Sequence, residues 1–174
     1  MRKVLDEALC AKYPLIFKDR HAPMTETAMC WGICTGDGWY NILDVLCGML
    51  YSDYRQAKDR YEYLSEAGVG GVLYGKRTVT QEEIDQAKEK MDEEKEKVPV
   101  AAQVKEKFGG LRFYVDRATE KHYNYISVAE NMSYRTCEEC GNPGKRYTDG
   151  WHKVLCDIHA EMEGRTEESE DDLE

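Results

Sequence analysis

Four residues near the end of the chain have the types and the spacing of a metal site. Two residues separate Cys137 from Cys140, two separate Cys156 from His159, and 15 residues lie between the pairs. Three thiolates and one imidazole suit Zn²⁺, which prefers tetrahedral sites of sulfur and nitrogen donors. Because four protein ligands leave no coordination position open to water, we predict one structural zinc ion per chain.

The residues around these ligands predict a treble-clef-like or ribbon-like zinc finger over 136–162. Gly141 allows a tight turn directly after Cys140, and 151–155 has the pattern of a strand. Cys156 and His159 would then lie on the first turn of a helix, on one side. Cys30 and Cys34 are a weaker candidate for a second metal site with His21 as a donor, because their spacing is loose and free buried cysteines are common.

A second candidate site lies on a predicted β-hairpin over 100–115. Its two alternating runs flank Gly109-Gly110, a dipeptide suited to a two-residue turn. This turn places Lys107 opposite Arg112 on the exposed face, and like charges in that arrangement are destabilising without a counterion. The core face would carry Val104, Phe108, Leu111, Phe113 and Val115, with Glu106 as an exception.

We therefore predict that the exposed face of the hairpin binds an anionic small molecule such as a nucleotide, in a site that a second copy of the chain could share. Arginine can hold a phosphate with two parallel hydrogen bonds, and tyrosine can stack on a base. The predicted ligand residues are Lys105, Lys107, Arg112 and Tyr114. A solvated outer face without a ligand is the alternative interpretation.

Two further groups of residues are open to a functional or a structural interpretation. Lys145, Arg146, His152 and Lys153 would give the finger a positive charge, as in an adaptor that binds nucleic acid or a host protein. Gly36 and Gly38 could let an anion approach a helix, but Asp37 between them is better suited to cap that helix. The sequence contains no nucleophile elbow, P-loop or dinucleotide-binding motif, so a non-enzymatic protein is favoured over an enzyme.

Hydrophobic periodicity predicts an α+β fold in which a long central helix organises the core. We expect residues 1–135 to form the core domain, 66–98 to form a helical insertion within it, and 136–162 to pack on it as the finger. The predicted elements are a helix over Lys3–Phe17, the central helix over Trp39–Glu66, the hairpin, and a helix over Ala118–Tyr134.

Composition restricts the class of protein. Of the net charge of −10, residues 161–174 contribute −7 through eight acids and one base, so 163–174 are expected to form a disordered acidic tail. No apolar run reaches the roughly 18 residues of a membrane span, and the acidic residues Asp6 and Glu7 near the N-terminus do not fit a signal peptide. Seven cysteines without an export signal indicate reduced thiols or metal ligands in a cytoplasm.

Three segments together resemble a group of small proteins of tailed bacteriophages and prophages. They are 24–39, with Cys30-Trp31-Gly32 and Gly36-Asp37-Gly38-Trp39; 105–114, Lys-Glu-Lys-Phe-Gly-Gly-Leu-Arg-Phe-Tyr; and the Cys137–His159 segment with Gly150-Trp151. The resemblance implies the cytoplasm of a bacterial host and an accessory role during infection. By analogy with other accessory phage proteins, it suggests counter-defence by sequestering a nucleotide signal of the host.

Overall fold

The structure is a computed structural model that describes residues 1–73, 75 and 77–165, with the backbone alone at Leu73 and Arg77. Of the predicted acidic tail, 166–174 lie outside the described residues. The described residues form six α-helices: α1 (Lys3–Lys12), α2 (Tyr40–Leu50), α3 (Ser52–Ala67), α4 (Gln81–Lys97), α5 (Glu120–Ser133) and α6 (Asp157–Met162). Their strands are β1 (Val72–Leu73), β2 (Arg77–Thr78), β3 (Val100–Lys107), β4 (Gly110–Asp116), β5 (Lys145–Tyr147) and β6 (Lys153–Leu155).

The strands pair as three antiparallel two-stranded sheets, β1 with β2, β3 with β4, and β5 with β6. The predicted α+β class is therefore confirmed. The chain divides into two compact units, one formed by Met1–Met49 with the chain from Pro99 onward, the other by Leu50–Val98. The boundaries predicted at 135 and 162 remain predictions, and the second unit contains α3 in addition to the segment 66–98.

The predicted central helix is two helices. α2 ends at Leu50, Tyr51 follows it as a turn residue, and α3 begins at Ser52. The apolar residues recur at helical spacing through both helices, so their pattern does not mark the break. Gly48, a weak helix former, lies just before the end of α2. The prediction of one continuous helix over Trp39–Glu66 is wrong.

The unit from Leu50 to Val98 is a helical pair joined by a glycine-rich connection. Its buried cluster consists of Leu64 of α3, Val79 just before α4, and Ala87 of α4. Thr80 and Glu83 begin α4 with a reciprocal capping box, in which each side chain accepts a hydrogen bond from the other residue's backbone N–H.

In the other unit, both outer edges of the β3–β4 hairpin are hydrogen-bonded to other segments of the chain. The Cys34 N–H donates to the Val104 carbonyl, and the Cys34 carbonyl accepts from the Glu106 N–H, both at 2.9 Å. On the β4 edge, the backbone N–H groups of Leu111 and Phe113 donate to side chains of α5. Both edges of the two-stranded sheet are thus bonded, which satisfies backbone groups that would otherwise offer pairing sites to another chain.

The turn of this hairpin lies one residue earlier than predicted. Lys107 pairs with Gly110, so Phe108 and Gly109 are the two turn residues, with φ of 54° and 77°. A Cβ on Gly110 would lie 2.5 Å from Cζ of Tyr134, so the ring fixes Gly110 within the strand. From Gln103 to Lys107 the register moves by two residues, which keeps these side chains on their predicted faces, and an irregularity between Ala101 and Gln103 shifts the pairing beyond it.

The faces therefore agree with prediction for the strands and differ at the turn. Val104, Leu111 and Phe113 are buried, whereas Phe108 is 60% exposed. Glu106, the exception on the core face, has a role of its own: its carboxylate accepts a hydrogen bond from the Gly109 N–H at 2.6 Å. The predicted opposition of Lys107 and Arg112 is wrong, because Arg112 lies opposite Lys105.

A buried ion pair fixes the segment that follows α1. The Asp6 carboxylate accepts hydrogen bonds from Nη2 of Arg20 at 2.6 Å and from the Ile33 N–H at 3.0 Å. Arg20 also donates to the carbonyls of Met29 and Cys30. One carboxylate and one guanidinium thus satisfy three backbone groups of a segment with little regular structure.

Replacing Asp6 with alanine leaves the Arg20 guanidinium and the Ile33 N–H without their acceptor. We expect Asp6→Ala to lower the free energy of unfolding by about 3 kcal/mol, measured by urea denaturation. Glu7→Ala is the matched control, because Glu7 forms an exposed ion pair with Lys3 on the same helix; it should change stability by about 0.5 kcal/mol or less. Equal effects of the two variants would contradict this assignment.

Candidate metal centre

The four predicted metal ligands lie together. Their donor atoms are all within 4.8 Å of one another, and the described residues contain no other group of three or more Cys, His, Asp or Glu side chains so placed. Cys137 and Cys140 flank a turn closed by the Gly141 N–H, which donates to the Cys137 carbonyl. Cys156 precedes the first residue of α6, and His159 lies on its first turn.

The distances fit tetrahedral coordination. Sγ of Cys140 and Sγ of Cys156 are 3.8 Å apart, and Nδ1 of His159 lies 3.2 Å and 3.5 Å from Sγ of Cys156 and Cys137. Metal–sulfur bonds of about 2.3 Å and a metal–nitrogen bond of about 2.0 Å place tetrahedral donors roughly 3.8 Å (S to S) and 3.5 Å (S to N) apart. The four side chains could therefore bind a metal ion, with Nδ1 as the imidazole donor.

The backbone around the donors favours thiolate at one cysteine. The backbone N–H of His159 is the main reason that the pKa of Cys156 falls to about 7, as expected for a thiol at the start of a helix. Burial raises the pKa of Cys137, against hydrogen bonds from backbone N–H groups. Two of the ligands belong to a small buried cluster, which consists of Cys137, Tyr147, Leu155, Cys156 and Ala160.

The ligand turn is held by a close backbone contact with the segment Gly36–Trp39. The Gly38 N–H donates to the Glu138 carbonyl at 2.7 Å, and the Gly36 N–H donates to Oε1 of Glu138 at 2.8 Å. A Cβ on Gly38 would lie 2.2 Å from the Cys137 carbonyl oxygen. Nε1 of the fully buried Trp39 donates to the Thr136 carbonyl at 2.8 Å.

This contact corrects the interpretation of the two glycines. Gly36 and Gly38 allow another backbone, not an anion, to approach. Asp37 does not cap the following helix; its carboxylate accepts hydrogen bonds from the backbone N–H and Nε of Arg2, and the Arg2 N–H lowers its pKa. Glu138 is buried, and burial raises its pKa against the hydrogen bond from Gly36.

The weaker candidate for a second metal site is not formed. Cys30, Cys34 and His21 do not belong to the one ligand cluster found among the described residues. Cys34 is exposed, and its backbone bonds to β3.

The structure divides the four predicted ligand residues of the hairpin into two pairs. Lys105 lies with its Nζ 5.7 Å from the ring centroid of Tyr114, and both line a cavity of about 540 Å³. Three carboxylates, those of Asp19, Glu26 and Asp116, line the same cavity. This end of the face therefore carries more negative than positive charge, which disfavours an anion there.

Lys107 and Arg112 lie toward the turn, where the charge is different. Arg112 donates to the Leu111 carbonyl at 2.7 Å and to the Tyr134 hydroxyl at 2.8 Å. Arg146 of β5 lies over the same tyrosine ring, with Cζ 5.5 Å from the centroid, and its Nη2 is 3.3 Å from Nδ1 of His152. The hairpin turn and the β5–β6 segment thus meet around Tyr134.

The four residues predicted to give the finger its charge also divide. Lys153 pairs with Glu163 at 2.7 Å and with Glu139 at 3.4 Å, and Lys145 is 3.8 Å from Asp157. Arg146 and His152 are the two members that face the hairpin. Tyr134 was not among the predicted site residues, and its only signal in the sequence is the glycine pair, of which Gly110 contacts the ring.

Comparison with models of protein families, with curated proteins and with solved structures gave no match to this chain. Among the described residues, no helix has the length and apolar character that crossing a lipid bilayer requires.

The contact between Gly38 and the ligand turn predicts a steric effect of a single methyl group. We expect Gly38→Ala to lower the free energy of unfolding by about 2–3 kcal/mol, because the new Cβ meets backbone atoms that cannot rotate away. Asp37→Ala in the same turn is the control and should cost about 1 kcal/mol or less. Urea denaturation of the full chain measures both; a neutral Gly38→Ala would disprove the close contact.

Proposed function

We propose that this protein is a non-enzymatic binding protein with one structural zinc ion and a phosphate-bearing ligand. The ion would be held by Cys137, Cys140, Cys156 and His159. Three sulfur donors and one nitrogen donor at tetrahedral distances support zinc over harder cations, which take oxygen ligands. The order of ligand turn, β5–β6 hairpin and ligand-bearing α6 supports a treble-clef-like finger.

Removing one ligand tests the proposed zinc ion. We expect Cys140→Ser to lose the one zinc ion per chain and to unfold residues 136–162, because metal binding supplies the folding free energy of small zinc units. Elemental analysis and native mass spectrometry of the full chain measure the metal, and hydrogen exchange measures the folding of the segment.

Cys34→Ser is the matched control, because Cys34 is an exposed cysteine outside the cluster; it should keep its zinc. A Cys140→Ser protein that is metal-free and as stable as the original would refute a structural ion. A metal other than zinc in the protein as isolated would refute the assignment of the ion as zinc.

The ligand proposal depends on one observation, the two cations Lys107 and Arg112 on one face of the hairpin. Lys105 lies directly opposite Arg112, but it shares a cavity with three carboxylates that can neutralise its charge. A phosphate group would offset the charges of Lys107 and Arg112 and could accept hydrogen bonds from the guanidinium. We therefore place the proposed ligand at these two residues.

The biological setting of this proposal comes from the resemblance to proteins of tailed bacteriophages. In that setting the protein would act in the cytoplasm of a bacterial host and sequester a nucleotide signal of the host's defence. A second candidate function is an adaptor that binds nucleic acid or a host protein. The contact of Arg146 with Tyr134 favours the adaptor, because this contact brings a cation of the proposed finger beside the cations of the hairpin.

Reversing two charges tests the ligand proposal. We expect the full chain, purified from phage-infected bacteria and heated, to release a phosphate-bearing compound that mass spectrometry detects. Lys107→Glu/Arg112→Glu should reduce the released amount at least tenfold, since each change replaces attraction by repulsion. Lys18→Glu/Lys88→Glu is the control with the same change of charge at exposed lysines elsewhere.

The nature of the released compound separates the candidates. A mononucleotide or oligonucleotide signal supports sequestration, and longer nucleic-acid fragments support the adaptor. Equal release from a folded Lys107→Glu/Arg112→Glu protein would refute the hairpin as the binding face. Lys107→Glu alone, at an exposed side chain, covers the case in which the loss of Arg112 disturbs the fold.

A further inference from the structure

The turn of the β3–β4 hairpin holds an aromatic residue in an unfavourable conformation. Phe108 has φ of 54°, in the left-handed region that bulky residues rarely adopt. The first position of such a turn favours Asn, Asp or Gly, which tolerate positive φ. Phe108 is also 60% exposed, so burial of its ring does not offset the strain. Backbone strain that no burial offsets is typical of functional positions.

One cation and one imidazole lie near this exposed ring. Nζ of Lys107 lies 5.4 Å from the ring centroid of Phe108, and the imidazole of His152 lies 6.1 Å from it. Nη2 of Arg146 lies 3.3 Å from Nδ1 of His152. The carboxylate nearest in the turn, that of Glu106, accepts the hydrogen bond from the Gly109 N–H and is half-buried.

Tyr134 extends the surface toward a second guanidinium. Cζ of Arg112 lies 5.8 Å and Cζ of Arg146 5.5 Å from its ring centroid. Glu130 is the carboxylate closest to Arg112 on α5, and its Oε1 accepts a hydrogen bond from the Phe113 N–H. Three cations and two aromatic rings therefore form one surface, which we call the Phe108 surface: Lys107, Phe108, Arg112, Tyr134 and Arg146.

We propose that the Phe108 surface binds single-stranded nucleic acid, with a base stacked on Phe108 and backbone phosphates held by Lys107, Arg112 and Arg146. This inference rests on the proposed phosphate-bearing ligand and specifies its class. Every base has a π-face, so an exposed ring can stack on any sequence. In a duplex, stacking between neighbouring base pairs covers these faces, so a side chain at the tip of a hairpin cannot reach them. The open surface also leaves room for a strand to pass across it.

The test uses the full chain and a fluorescein-labelled oligothymidine of about 12 nucleotides, with binding followed by fluorescence anisotropy. Three phosphate contacts predict that affinity falls about 20-fold between 50 and 200 mM salt. Phe108→Asn is the decisive variant, because asparagine suits the turn while it removes the ring. We expect a thermal midpoint equal to or above that of the original and roughly tenfold weaker binding.

Matched controls separate stacking and charge from general effects. Tyr123→Asn removes another exposed aromatic ring, on α5, and should leave binding unchanged. Lys107→Gln should reduce the slope of log affinity against log salt by about 0.7, whereas Lys18→Gln should not change it. Unchanged binding in a folded Phe108→Asn protein would overturn the inference, as would equal affinity for a duplex of the same length.

The outcomes also separate this inference from the proposed function. If oligothymidine does not bind but heating releases a mononucleotide that Lys107→Glu/Arg112→Glu loses, the single-strand site is refuted and the phosphate-bearing ligand stands. If oligothymidine does not bind and no phosphate-bearing compound is released, both are refuted.

Discussion

The close backbone contact between Gly36–Trp39 and the Cys137–Gly141 turn is the constraint on which the larger unit depends. It joins segments about a hundred residues apart in the chain, through two glycine N–H groups and one indole. Backbones can approach this closely only where no Cβ intervenes. The contact fixes the candidate metal ligands against the core. The side chain of Trp39 is buried in that core and also bonds to the Thr136 carbonyl, next to the first ligand. A bound ion would then stabilise an arrangement that the core already supports from outside.

The β3–β4 hairpin is the second organising feature, because it is bonded at both edges and buried on one face. Backbone groups of the Cys34 segment pair with β3, and side chains of α5 bond β4. A two-stranded sheet has little stability of its own, so these partners determine its position. As a result its turn is held beside β5 and β6, where Phe108 faces His152. The proposed binding surface exists only because both hairpins are fixed in this way.

Charge is distributed unevenly along the exposed face of the hairpin. Lys105 lies among three carboxylates, whereas Lys107 and Arg112 lie beside Arg146 and His152. Asp6 and Arg20 show the contrasting structural use of charge, since each satisfies buried backbone groups of the segment before α2. A net charge of −10 therefore conceals one cationic end, and only that end is compatible with the phosphate-bearing ligand that we propose.

The sequence by itself determined the candidate metal-ligand set, the α+β class and the faces of the hairpin strands. The candidate metal ligands follow from residue type and short spacing. The strand faces follow from the alternation of side chains, which a register shift of two residues does not change. Tertiary structure decided the rest. The break at Tyr51 leaves no mark in the apolar pattern. The turn lies at Phe108-Gly109, and Gly110 lies in the strand against the ring of Tyr134. The partners of Gly36, Gly38 and Arg112 are distant in the chain, and local sequence carries no information about which backbone or ring will lie against them.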